Sequence, residues 1–415
     1  MSSARVDESI IQPKITPSIP AASLQPTLPQ ELIDDIINNL YNDEHSLRAC
    51  ALVSSSWSRR SQQHLFSRIR LASIRSRDKS KSRTAAERFL HLIESAQHIP
   101  SFVRHLDVIE GDIGYGRWLG RSIPVLDCIL PALTNLRTLC IKFSGVLWSD
   151  IPGIRSSFIS ASKLPDLHKV TIKSFYGVPS WDTLFALFEG SKVAEIYLES
   201  ITTSPLTHGY IPGSIRIPLE TLSLSVESNE LQRLSSWLAD PSCDLQLSRL
   251  RNLYIIILFS EEMEALSRLL ETLRMSPLLT IEIRLKIFDS VDDLSLPDIS
   301  RFQHVRLMLT PQDLSEPEQW RSASIAAQCW GWLLKNFREN IIETVTLTLP
   351  EVHPDQFPEA ERMHWAVLDA ALTRADMSHL RRVYLEDERS QGMGYRVGVM
   401  KDLLPNLYER GLLVF

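Results

Sequence analysis

Between Val103 and Leu385 one short phrase, apolar-x-x-apolar-x-apolar, recurs ten times. It appears at Val103-Leu106-Val108, Leu136-Leu139-Ile141, Leu167-Val170-Ile172, Val193-Ile196-Leu198 and Leu219-Leu222-Leu224. It continues at Leu250-Leu253-Ile255, Leu278-Ile281-Ile283, Phe302-Val305-Leu307, Ile342-Val345-Leu347 and Leu380-Val383-Leu385. The last two apolar positions of each phrase are two apart and share one face of a strand, while the first enters the turn before it. Successive middle positions lie 24 to 40 residues apart, which leaves room for one strand and one helix per unit. Helix signals fill several gaps. Thr84 and Glu87 have capping-box spacing, and Ser180 can cap a helix from Trp181 to Phe188 with Gly190 as its stop. Ser260 can cap Glu261 to Arg274, where Glu264 and Arg268 form an i,i+4 pair. Further helices are predicted at Asn229–Ala239, Trp320–Phe337, Glu359–Ala375 and Val399–Arg410, the last interrupted or bent at Pro405.

Ahead of this repeat the pattern is purely helical. Leu32, Ile33, Ile36, Ile37 and Leu40 recur at three- and four-residue steps, with Glu31, Asp34, Asp35, Asn38 and Asn39 on the other side. Pro29 suits a first helical turn, and Thr27 stands before it as a candidate cap. A second short helix carries Leu47, Cys50 and Ala51, with Asp43 or Ser46 as its cap, and a third carries Trp57, Leu65 and Phe66. A bundle of about forty residues rarely supplies a sufficient core by itself, and this one has more apolar residues than it can hide, so a partner or a following domain is implied.

The ordered set Leu28-Pro29-x-Glu31-Leu32, Ile36, Leu40, Leu52-Val53-x-x-x-Trp57 and Leu65-Phe66 resembles the F-box, in the form found in fungal F-box proteins. That resemblance implies three helices docking on a Skp-type adaptor, and through it on a cullin-RING ubiquitin ligase. The residues it nominates for adaptor docking or for shaping the motif are Leu28, Pro29, Glu31, Leu32, Ile36, Leu40, Leu52, Val53 and Trp57. Many members have Cys after the Val and a basic residue before the Trp; this chain has Ser54 and Ser56 there. The strand–helix alternation downstream resembles leucine-rich repeats, with Leu136-Arg137-Thr138-Leu139-Cys140-Ile141 and Leu219-Glu220-Thr221-Leu222-Ser223-Leu224 as the best matches. Where regular repeats place Asn or Cys, eight positions after the first apolar residue, the chain has Ser144, Phe175, Ile201, Glu227 and Leu258. Without that ladder the expectation is an irregular solenoid. A doubly wound α/β domain is the rival fold, although it would not be expected to repeat one phrase ten times.

The predicted organisation is α/β, an N-terminal three-helix F-box followed by an irregular leucine-rich-repeat-like solenoid of alternating strands and helices. Its parts are a disordered, Pro-rich tail (1–26), the F-box (27–70), a basic Ser-rich linker (71–83) and the substrate-binding repeat domain (84–415). The basic run is read as a solvated connection or as a nuclear-import or phospho-regulated patch. With 44% apolar residues the chain can bury a large core. Its net charge of −6 gives no general reason to expect nucleic acid as a partner. Five scattered cysteines without a C-x-x-C pair argue against a disulfide framework, and no stretch approaches a membrane span or a secretory signal. A cytoplasmic or nuclear protein is the expectation.

Motifs for catalysis are sparse. Gly114-x-Gly116-x-x-x-Gly120 and Gly392-x-Gly394-x-x-x-Gly398 miss the dinucleotide fingerprint and read as loops. His353 and His364 stand near Asp355, Glu359 and Glu361, but the spacing fits no common metal-ligand pattern. Of Trp330 and Trp332, two residues apart on a predicted helix, one can be exposed and anchor a partner. Leu253 to Phe259 reads as a central strand covered on both faces. The function expected is therefore a non-catalytic, cofactor-free substrate receptor that brings a protein target to ubiquitin transfer and so to degradation. An interaction protein acting without ubiquitination, and an enzyme with an unrecognised α/β site, are the alternatives.

Overall fold

The computed structural model describes residues 28–72, 84–110, 118–150, 153–204, 216–240, 247–257, 262–285, 297–309, 327–331, 340–349, 359–387 and 393–415, with positions 243, 245, 333 and 334. The predicted tail, most of the basic linker, Thr27, Ser260, Trp320 and Trp332 lie outside them. The chain divides into two compact units between Ser61 and Gln62.

The first unit holds α1 (Gln30–Asn39), α2 (Glu44–Val53) and the start of α3 (Ser55–Leu65). Pro29 stands one position earlier than its first-turn reading: it is the N-cap, and its carbonyl accepts from Leu32 N and Ile33 N at 3.1 and 3.2 Å. Of the two candidate caps for α2, Asp43 serves, accepting from the Ser46 amide at 3.0 Å. That hydrogen bonding with Ser46, side chain first and backbone second, holds the Asp43 carboxyl below its ordinary range. Helices α1 and α3 are tied by Gln30 Nε2 to the Ser56 carbonyl (3.2 Å) and by Arg60 Nε to Asn38 Oδ1 (2.8 Å). Ile33, Ile37 and Leu47 are the buried apolar side chains of this unit among the described residues.

The second unit is a twelve-stranded parallel sheet whose order follows the sequence without reversal. Its strands are β1 Arg68–Ala72, β2 His105–Ile109, β3 Thr138–Leu147, β4 Lys169–Tyr176, β5 Glu195–Glu199 and β6 Thr221–Ser225. They continue as β7 Asn252–Ile257, β8 Thr280–Leu285, β9 His304–Leu309, β10 Thr344–Leu349, β11 Arg382–Asp387 and β12 Leu413–Val414. All ten phrases fall on β2–β11, and their middle residues pair in one unbroken row from Leu106 through Leu139 and Leu222 to Val383. A doubly wound sheet would show a switch in strand order, so this topology overturns the rival fold and is compatible with an α/β solenoid. Two strands were not anticipated. β1 occupies residues read as the end of the helical motif and the start of the linker, although Phe66-x-x-Ile69-x-Leu71 carries the same phrase, and β12 is only two residues long.

Alternation along each strand sends one face into the core and leaves the other open. Leu139 and Ile141, Ile196 and Leu198, and Leu253, Ile255 and Ile257 are at most 3% exposed and belong to one continuous apolar cluster with Phe89, Leu130, Phe158, Leu231 and Leu266 from the intervening helices. The strand at Asn252–Ile257 is thus covered on one face; Tyr254 and Ile256 lie on the open side, half-buried, in place of the two-sided burial predicted. Helix readings hold at Thr84, where both halves of the capping box form, at Ser180, which accepts from Thr183 N, and at Glu264–Arg268, paired at 2.6 Å. The C-terminal helix is two, Met393–Leu403 and Pro405–Glu409, so Gly394 and Gly398 are helical and not loop residues; Gly120 is helical as well. The shorter helix has no side-chain cap of its own; buried Asp369 accepts from the amides of Asn406 and Leu407, both at 3.0 Å, and from Asn406 Nδ2 at 2.7 Å.

Backbone groups at the two ends of the strands replace a side-chain ladder. At the entry end each carbonyl of Ser67, Arg104, Arg137, His168, Ala194, Glu220, Arg251, Leu279, Gln303 and Glu343 accepts two consecutive amides of the next unit, at 2.8 to 3.4 Å. At the exit end, Phe143, Phe175, Ile201 and Val226 form an apolar rail, with the Phe143 and Phe175 rings stacked at 4.2 Å. The turns there bond to each other, Thr202 N to Phe175 O (3.1 Å) and Val178 N to Thr202 O (3.0 Å). The predicted irregularity is present: register shifts between Lys142 and Val146, and Ser174 and Ser200 take left-handed φ values of 54° and 53°.

Candidate functional site

Each unit presents a surface of its own. In α1, residues one helical turn apart divide into two stripes. Ile33 and Ile37 are buried, whereas Leu32 and Ile36 are 49% and 42% exposed, as is Leu28, ahead of the helix, at 52%. At the end of α2, Leu52 and Val53 are 88% and 66% exposed. Tyr41 is 64% exposed as well. Scattered exposed leucines are ordinary, but six large hydrophobic side chains outside a unit that buries three, among the described residues, amount to an excess of exposed apolar surface. Of the nine nominated residues, Leu28, Pro29, Glu31, Leu32, Ile36, Leu52 and Val53 are exposed, while Leu40 and Trp57 are half-buried. The residues that hold the unit together, Ile33, Ile37 and Leu47, were not nominated. Ser54 and Ser56, at the departures from the F-box pattern, are exposed and bonded to each other at 2.8 Å.

The second surface is the open face of the sheet. Its centre is β6, whose outward residues Thr221, Ser223 and Ser225 are small, flanked by Tyr197 on β5 and Tyr254 on β7. The two rings lean together, centroids 6.4 Å apart and planes 20° from parallel. Both line a depression of about 380 Å³, together with Ser223 and Ser225, Lys173 and Glu199 from β4 and β5, and Glu282 and Arg284 from β8. Lys173 is bonded to Glu199, and Glu282 takes Arg284 at 3.3 Å and Arg306 at 3.7 Å. Burial is the first cause that raises both phenol pKa values; at Tyr197 the cation of Lys169, 4.0 Å from the ring centroid, opposes it. At Lys169 burial works against the charge, but Tyr197 and Glu195 outweigh it and hold the ammonium above its ordinary value. Both phenols are neutral donors at neutral pH, so this face offers hydroxyls and compensated ion pairs.

Among the described residues no group of three or more His, Cys, Asp or Glu could hold a metal ion, and no helix is long and apolar enough to cross a membrane. His353 and Asp355 of the acidic–histidine set lie outside those residues. Trp330 is fully buried, which places it in the core and not at a surface anchor. The cysteines are free thiols. Sequence reasoning missed the Tyr197–Ser223–Tyr254 arrangement because its members occupy the variable places of the phrase; only the strand register brings them side by side. The sequence matches no protein-family model, and no curated protein is significantly similar to it.

Proposed function

We propose that the helical unit is an F-box that docks on a Skp-type adaptor of a cullin-RING ubiquitin ligase, and that the strand–helix array is an irregular leucine-rich-repeat-like solenoid holding a target protein. The observation that carries this reading is the exposure of Leu28, Leu32, Ile36, Leu52 and Val53 on a unit with three buried apolar side chains. The ordered motif from Leu28 to Trp57, which resembles the F-box, supports a Skp-type adaptor as the partner. For the array, the support is the strand–helix period, the strictly sequential parallel order and one open polar face. Function then follows from proximity: a target held on the array gains a high effective concentration near the ligase's charged E2, with no bond chemistry in this chain.

Calorimetry of the purified chain with a purified Skp-type adaptor tests the first half. Wild-type protein is expected to bind, and Leu52→Asp with Val53→Asp to weaken binding by about 100-fold or more, the range of lost hot-spot contacts, at an unchanged melting temperature. Absence of wild-type binding, or full retention in the double variant, removes the reading. Target half-life in cells with and without residues 28–61 tests whether ubiquitination follows.

A further inference from the structure

The open face is electrically divided. On the open face of β1 and β3, Arg68, Arg70 and Lys142 are exposed, and Arg104 and Arg137, exposed at the entrances to β2 and β3, border it. The strands bring them side by side: Arg70 pairs in register with Asp107, and Lys142 with Ile109 and Lys173. Asp107 is the one carboxylate in this group, and Arg68 engages it at 3.0 Å. Lys169 and Lys173, also on β4, face Glu195 and Glu199 of β5. His105 has its pKa lowered, by burial first and then by Arg68, with Asp107 opposing and Arg104 and Arg137 adding to the lowering. On β5 and at the entrance to β6 the sign changes, with Glu195, Glu199 and Glu220; farther along, Glu282 is paired with Arg284 and Arg306.

We propose that β1–β4 of the open face bind a short acidic segment of the target polypeptide, whose flanking, less charged residues continue over the Tyr197–Ser223–Tyr254 region. Four strands at about 4.8 Å spacing span roughly 14 Å, the length of four or five extended residues. Charge complementarity selects the sign of the occupant, and the width of the basic zone selects its length. A long polyanion such as a nucleic acid fits less well, since a phosphate chain leaving β4 runs directly onto the carboxylates of Glu195 and Glu199. This inference rests on the reading of the array as the target-binding part, and it is independent of adaptor docking.

The test uses the full chain and a fluorescein-labelled peptide with a central run of four Asp and Glu residues between Ser- and Tyr-containing flanks, followed by fluorescence anisotropy. Saturable binding is expected, weakening by about fivefold or more between 50 and 200 mM salt. Replacing the acidic residues by Asn and Gln is expected to weaken it by about tenfold or more, as is the variant Arg70→Gln, Arg104→Gln, Arg137→Gln. Arg268→Gln with Arg274→Gln, cations outside the sheet face, leaves binding within about twofold. Should the triple variant lose its fold, Arg70→Gln by itself is read instead, with about a two- to fourfold loss expected. No binding by wild type, unchanged binding by the variant that is read, or tighter binding of an oligothymidylate of equal charge overturns the proposal, the last in favour of nucleic acid. Adaptor binding measured on the same preparation separates the two hypotheses: acidic-peptide binding without adaptor binding removes the F-box reading alone, and the reverse removes this one alone.

Discussion

In the helical unit, Ile33, Ile37 and Leu47 are buried while Leu28, Leu32, Ile36, Leu52 and Val53 face solvent; in the array, each strand from β2 to β11 buries at least two apolar side chains and presents polar ones outside. The contrast separates two ways of using the same residue types. Where repeats stack, the apolar face of each strand is covered by the helices and by the neighbouring units, and stability accumulates along the chain. Where two helices and the start of a third make a unit of 34 described residues, the core is minimal and much apolar surface stays exposed. Apolar substitutions should therefore report stability in one unit and binding in the other.

The largest expected effect is at the middle of the array. Leu224→Ala removes a fully buried side chain from β6 and should cost about 3 to 4 kcal/mol, read as a lowered urea midpoint. A cost below about 1 kcal/mol would mean that the array's interior can collapse around the loss, which breaks the contrast. Next comes Asp369→Ala, which leaves the amides of Asn406 and Leu407 without their acceptor; about 2 to 3 kcal/mol is expected, with early exchange of those two amides by hydrogen-exchange measurement. Leu32→Ala should change stability by no more than about 0.5 kcal/mol, since the side chain is half outside already, while weakening adaptor binding. A destabilisation as large as that of Leu224→Ala would show that Leu32 is core. The smallest effect is chemical. Burial pushes the Cys329 thiol up to about 12, so at pH 8 about one molecule in ten thousand is thiolate, and Cys329 should stay unalkylated in the folded protein while exposed Cys128 reacts.

Much of the array was legible because its phrase couples a two-residue strand period to a turn residue, and no helix reproduces that pattern ten times. β1 escaped for a local reason. Phe66 reads as part of the helix before it, and the boundary between the helical motif (27–70) and the basic linker (71–83) cuts through Phe66-x-x-Ile69-x-Leu71, so the phrase is divided between two predicted parts. In α1 the periodicity located five apolar residues but not their two directions, because 32, 33, 36 and 37 fall within one broad arc of the helix. Which half of such an arc faces inward depends on α2 and α3, through Leu47 and contacts such as Arg60 to Asn38. The basic zone needed the register of four strands, which comes from hydrogen bonds that no single segment encodes.

The carbonyls at the strand entrances have a consequence for how this chain can be edited. Each serves two amides of the unit that follows, and the residues concerned range from Ala194 to Arg251, so the link depends on spacing and not on side-chain identity. A cut that begins and ends at equivalent links preserves it. Excision of residues 194–219 sets Glu220 after Val193 and presents the amides of Glu220 and Thr221 to the His168 carbonyl, where those of Ala194 and Glu195 bond now. Excision of half that length leaves the carbonyl unmatched. The array is thus a molecule whose length can be changed in whole units, and shortening it from the middle brings Tyr254 of β7 one place closer to the basic strands.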